Sequence, residues 1–223
     1  MQYVSLSRKT IKRIAKSNMQ HQWARSILIS VVLWLVTFPV YMVISHVIPG
    51  WIGWGVYMLA ILVAVPLQFG LARFFIGIYR GEPGRISMLF EAYEVGFLRK
   101  MGLSIVTGVL IGLWTLLFIV PGIIMGYAYS QAIYIMADNP DIGIWQALKM
   151  SKKMTKGYKF DLFVMHLSFL GWMFLSMFTF GILMVVYVAP YMYTTQAGYY
   201  VELKTRLGVA EGPAEPVGDV FDV

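Results

Sequence analysis

The chain has 223 residues, 59% of them apolar and only 13% charged, with a mean hydropathy of +0.69 and a net charge of +7. Soluble domains carry about a quarter charged residues, so this composition excludes an ordinary water-soluble fold. Zero cysteines exclude disulfides and thiolate metal sites.

The chain opens with a basic segment. Lys9, Lys12, Arg13 and Lys16 fall on one face of a predicted helix over about 7–22, with Ile11, Ile14, Ala15 and Met19 opposite. The first 25 residues are too basic, and the following apolar run too long, for a cleavable signal peptide. That run, Ser26 to Ala72, holds no charged residue over 47 positions; Met101 to Ala137 does the same over 37 and Leu162 to Val201 over 40. A membrane span takes roughly 17–25 apolar residues, so each run has room for two. Nothing in these runs shows the polar face that a soluble surface helix needs.

Each run also has a breaker near its middle: Pro49-Gly50, Pro121-Gly122 and Gly181. The predicted fold is an all-α polytopic membrane protein of six spans in three hairpins. The spans fall at about 26–48, 51–79, 101–120, 122–137, 162–180 and 182–203. All 18 Lys and Arg lie outside the uncharged runs. Positive residues are retained in the cytoplasm, so both termini and both long connections are expected there.

The connections repeat the opening pattern. A weaker, more acidic helix is predicted at about 85–98. In the second connection Lys149, Lys152, Lys153 and Lys156 share one face of a helix over 140–156, and Ile142, Trp145 and Leu148 form another stripe. Asn139 or Asp138 reads as its N-cap, with Pro140 in the first turn and Gly157 stopping it. These three helices are expected to lie at the membrane interface, with lysines towards anionic headgroups and apolar residues towards acyl chains. The basic residues of the first and third are the candidate anionic-lipid contacts. Residues 1–206 form one membrane domain, and the acidic tail 207–223 is expected to be disordered.

One glutamine falls near the cytoplasmic end of each hairpin's second span: Gln68, Gln131 and Gln196, separated by 63 and 65 residues. With Arg73 and His166 they are the candidate intramembrane polar cluster, because polar groups are costly in a bilayer. The competing reading is interhelical hydrogen bonding for the glutamines, snorkelling for Arg73 and a structural donor for His166. Capping accounts for Asp138 and Asp141 without a metal. The glycines of GVLIG (108–112) and GIIMG (122–126) are expected to pack the third and fourth spans on each other. No phosphate-cradling loop, HExxH or intraspan carboxylate pair appears, so no enzyme, cofactor or metal site is expected, and no nucleic acid.

VPGII, YSQAIYIMADNP, QALKMSKKMTKGYKFDLF, SFLGW and APYMYTTQAGYYVEL together resemble the bacterial membrane-protein family known as domain of unknown function 975, best from about Met101 to Leu203. A looser likeness is to the membrane domain of some glycerophosphodiester phosphodiesterases, whose catalytic domain has no counterpart in this sequence. The resemblance implies a bacterial cytoplasmic-membrane protein and supplies no catalytic residues. The expected function is non-enzymatic organisation of lipid or of a membrane partner, in envelope stress or peptide immunity, with a partner protein or a second copy allowed. The alternative is a small transporter or permease subunit.

Overall fold

The computed structural model describes residues 7–46 and 51–208, without the side chains of 35–46 and most of 51–63. The turn at Pro49-Gly50 and residues 209–223 of the acidic tail lie outside the described residues. Those described are helical or irregular, with no strand among them. Helix α1 (Arg8–Gln20) leads into α2 (Trp23–His46) and α3 (Trp51–Arg80); α4 (Met88–Glu94) precedes α5 (Phe97–Leu117), α6 (Ile119–Tyr129) and α7 (Ala132–Asp138). Helix α8 (Ile144–Met154) precedes α9 (Lys159–Leu167) and α10 (Leu170–Phe178), and a π-helical segment (Met184–Val188) runs into α11 (Ala189–Arg206). Among the described residues three helical stretches are long and apolar enough to cross a membrane: Phe97–Leu117, Ile119–Asp138 and Lys159–Phe178.

One breaker acts differently from expectation. The break between α5 and α6 falls at Phe118, whose backbone is extended (φ −156°, ψ 140°), and Pro121 lies in the first turn of α6. Its missing N–H is harmless there, because first-turn donors have no intrahelical acceptor. Gly181 does form a turn, at φ +82°. Of the four GxxxG glycines only Gly122 makes a close approach, where an added Cβ would meet Thr115; Gly108, Gly112 and Gly126 face open space. Neighbouring Thr115 and Gly122 across the α5–α6 break are close because the connection is tight, and the motif contributes nothing further along.

Burial divides the bundle into two layers. Towards the turns at Phe118 and Gly181, apolar side chains are exposed, among them Ile105, Val109, Leu116, Phe174, Phe178 and Phe180. Towards the charged ends, Phe69, Phe74, Phe75, Ile78, Ile135, Met136, Tyr199 and Tyr200 are buried as in a soluble core. That second layer is closed by α1, α4 and α8: protein covers the α1 stripe expected to face acyl chains, and Leu148 of the α8 stripe, whereas Trp145 is 63% exposed. Ile11, Ala15 and Met19 of α1 are buried, and α1 packs on α3 and α11 so tightly that a Cβ on Gly198 would meet Tyr79 and Ile11. Residues at i, i+4 and i+8 form one stripe, and protein covers it here.

Helix α8 does not lie flat beside the bundle. It turns back along α7: Ile144 sits against Gly102 of α5, while Ser151 and Thr155, two and three turns later, reach Ala128 at the end of α6. Its buried face of Ala147, Leu148, Met150, Ser151 and Met154 is too wide and too polar for lipid. Helix α8 starts after Gly143, whose N–H bonds the Gln146 side chain, so Asp138 and Asn139 are not its N-cap. Gly157 does follow its end in the left-handed conformation (φ +88°).

Candidate functional site

Helix α6 stops at Ser130 and α7 restarts after Gln131. A break inside a bundle exposes backbone groups that need partners, and α8 supplies them. Ser151 Oγ donates to Ala128 O at 2.7 Å and accepts from Gln131 N–H at 3.2 Å; Thr155 Oγ1 also donates to Ala128 O. The interruption turns the Gln131 side chain inward, where the residue is 2% exposed.

Gln131 there lines a cavity of about 550 Å³ formed by residues of α2, α3, α7, α9, the π-helical segment and α11. Gln68, Leu71, Ala72 and Phe75 line it from α3, at i, i+3, i+4 and i+7, which is one helix face. Gln131 and Tyr134 come from α7, His166 from α9, Met184 and Val185 from the π-helical segment, and Tyr193 and Gln196 from α11. Ser30, Leu33 and Trp34 of α2 complete it. The π segment precedes Pro190, whose missing N–H cannot serve the regular ladder, and such irregular turns widen a helix locally. Gln68 and Trp34 are the exposed polar and aromatic members, which puts the mouth beside α2 and α3. Among the described residues no Asp, Glu, Lys or Arg lines the cavity.

The polar groups are not equally placed. Tyr134 O–H donates to Gln196 Oε1 at 2.9 Å, and Gln196 Nε2 meets His166 Nε2. His166 Nδ1 faces Leu162 O at 2.9 Å, so Nδ1 carries the proton and Nε2 accepts from the glutamine amide. Gln131 Nε2 donates to Ser130 Oγ at 3.1 Å. Its Oε1 is buried with no hydrogen-bond partner.

Four of the five residues of the expected polar cluster thus line one cavity, and Arg73 does not. It stands five residues after Gln68, about 140° further round α3, where it donates to Ala137 O at 3.3 Å and pairs with Glu91 at 3.7 Å. The glutamines are also not at matching distances from their helix ends. Gln131 and Gln196 precede Asp138 and Lys204 by about 10 and 12 Å of helix, whereas Gln68 precedes Arg80 by about 18 Å.

Past the cavity the bundle is shut. Tyr134 stacks on Tyr200 and Phe75 on Tyr193. Beyond them Asp138, at the end of α7, accepts from Arg80 at 2.9 and 3.2 Å, from Tyr200 at 2.8 Å and from Lys204 at 2.6 Å. Its side chain is 8% exposed and that of Lys204 5%. This buried cluster ties the ends of α3, α7 and α11. Reading Asp138 as a cap missed it; the signal available was one charge at the same end of each second span, with the acid between two bases.

The basic faces are placed as follows. Lys9, Arg13 and Lys16 of α1 and Lys149, Lys152, Lys153 and Lys156 beside α8 are exposed. Lys12 is not with them. It bonds Ser168 and lies 4.3 Å from the Phe169 ring centroid, and desolvation there lowers its pKa. Asp141 is exposed and meets Arg99 at 3.5 Å, and no metal-holding group occurs among the described residues.

An all-helical bundle with three stretches long and apolar enough to span a membrane marks this as a protein built for membrane association. Residues 116–207 match the family model described as protein of unknown function (DUF975), so this segment is similar to that family. Comparison with curated proteins and with solved structures finds no match, so the likeness to glycerophosphodiester phosphodiesterase membrane domains has no relative behind it.

Proposed function

We propose that this is a six-span, non-enzymatic protein of the bacterial cytoplasmic membrane. Its termini and charged connections face the cytoplasm, and it organises anionic lipid around itself. The pairs α2/α3, α5/α6–α7 and α9–α10/α11 are the three hairpins of this reading. The observation that carries it is the position of α8. Its lysines are exposed at the level of Ala128 and Gln131, where the exposed apolar belt gives way to the packed layer. A fixed row of cations at that height meets phosphate headgroups, each adding about 1 kcal/mol of attraction. Lys9, Arg13 and Lys16 add a second basic face.

The test is lipid retention by the purified protein in mixed micelles. Replacing Lys149, Lys152, Lys153 and Lys156 with glutamine should cut phosphatidylglycerol retention tenfold or more at low salt and leave phosphatidylcholine unchanged. Equal phosphatidylglycerol retention would assign that face to a protein partner instead. The transporter reading draws on the cavity, but the Tyr134–Tyr200 and Asp138 layers beyond it favour a closed pocket over a path.

A further inference from the structure

The basic faces leave the central cavity without a role, and its chemistry narrows what it holds. We propose that it is a binding site for an uncharged, hydroxyl-bearing amphiphile of the acylglycerol type, with the hydroxyl end at Gln131 and the apolar part leaving past Trp34. The site is distinct from the basic surface and does not depend on the lipid-organising role given to it.

Three observations converge. First, Gln131 is buried, lines the cavity and has an Oε1 with no hydrogen-bond partner. An unsatisfied buried acceptor is costly, and a donor from a ligand is what it lacks. Gln196 and His166 beside it already satisfy each other, which leaves Gln131 and the exposed Gln68 as the recognition groups. Second, no charged side chain among the described residues lines the cavity. An ionised ligand would lose its hydration with nothing to replace it, so phosphates, carboxylates and amines are disfavoured. Third, the volume of about 550 Å³ falls in the range that takes small molecules. Apolar Leu33, Met184 and Trp34 line it together with the amides, so one end of the ligand is polar and the other is not.

The hydroxyl chemistry could come from a membrane acylglycerol or from free glycerol, and the experiment separates the two. Full-length protein in phosphatidylcholine nanodiscs is challenged with dioleoylglycerol in the bilayer or with glycerol in the buffer, and bound ligand is counted by native mass spectrometry after release. Gln131→Leu removes the orphan acceptor, so it should keep or raise thermal stability while reducing dioleoylglycerol binding at least tenfold. Ala64 of α3 also lines the cavity, and Ala64→Phe fills it and should abolish binding without touching Gln131. Saturable dioleoylglycerol binding that both variants lose supports the proposal with a membrane source. Glycerol binding without dioleoylglycerol binding overturns it, because free glycerol has no apolar part to leave past Trp34. No binding of either probe by the wild type overturns it, as does binding by Gln131→Leu within twofold of wild type. Phosphatidylglycerol retention on the lysine face is measured separately, so either reading can fail while the other stands.

Discussion

Replacing Asp138 with asparagine removes the one acid that joins the ends of α3, α7 and α11. The carboxylate accepts two bonds from Arg80, one from Lys204 and one from Tyr200. Asparagine keeps a single oxygen and turns an NH₂ group towards donors. Two cations then share a pocket in which Lys204 is 5% exposed, with no carboxylate between them. Removing one partner of a buried ion pair costs about 3–5 kcal/mol, or two to three and a half powers of ten in the unfolding equilibrium at about 1.4 kcal/mol per tenfold. The side chain of Arg80 is 21% exposed and can turn to water, so Lys204 carries most of the penalty. Asp138→Leu combined with Lys204→Met should therefore be milder than Asp138→Asn, although it changes more atoms. The assay is reversible unfolding by sodium dodecyl sulfate from mixed micelles, followed by helical circular dichroism. An Asp138→Asn variant within about 1 kcal/mol of wild type, or a double variant less stable than the single, would refute the reasoning.

Ser151→Ala strips the acceptor from the buried Gln131 N–H and should cost about 1–3 kcal/mol, read as a lower thermal midpoint in detergent; an unchanged midpoint would mean that α8 does not support the α6–α7 break. Gly70→Ala would put a Cβ 2.6 Å from Leu89 Cα and O, and because backbone must move, α4 should separate from α3 at a cost of about 1–3 kcal/mol, visible as faster amide exchange in α4.

The helices were legible from hydropathy and breakers, and the limits of that legibility have one cause. An uncharged run reports burial without saying whether lipid or protein does the burying. Phe69 to Ile78, Ala132 to Ala137 and Ala197 to Leu203 read as continuations of spans, yet they are covered by α1, α4, α7 and α8. The same ambiguity hid the orientation of α8: its lysine spacing identified an amphipathic helix, but Ser151 and Thr155 on the other face were the hint that a protein backbone awaited them. The three glutamines and His166 could be chosen from their cost in a bilayer, whereas Arg73 was included through proximity in sequence to Gln68, which helical geometry overrules. The orphaned oxygen of Gln131 depends on which partners the fold brings near, and no pattern in the sequence encodes that.

The central claim is the six-span arrangement with every charged segment on the cytoplasmic side. The natural chain has no cysteine, so single introduced cysteines report without background. Phe118 and Phe180 sit at two of the turns, 71% and 97% exposed, and Lys152 lies on the exposed face of α8. In intact cells a membrane-impermeant maleimide should label Phe118→Cys and Phe180→Cys and leave Lys152→Cys unreacted until the membrane is permeabilised. Labelling of Lys152→Cys in intact cells, or protection of both turn positions, would contradict the account.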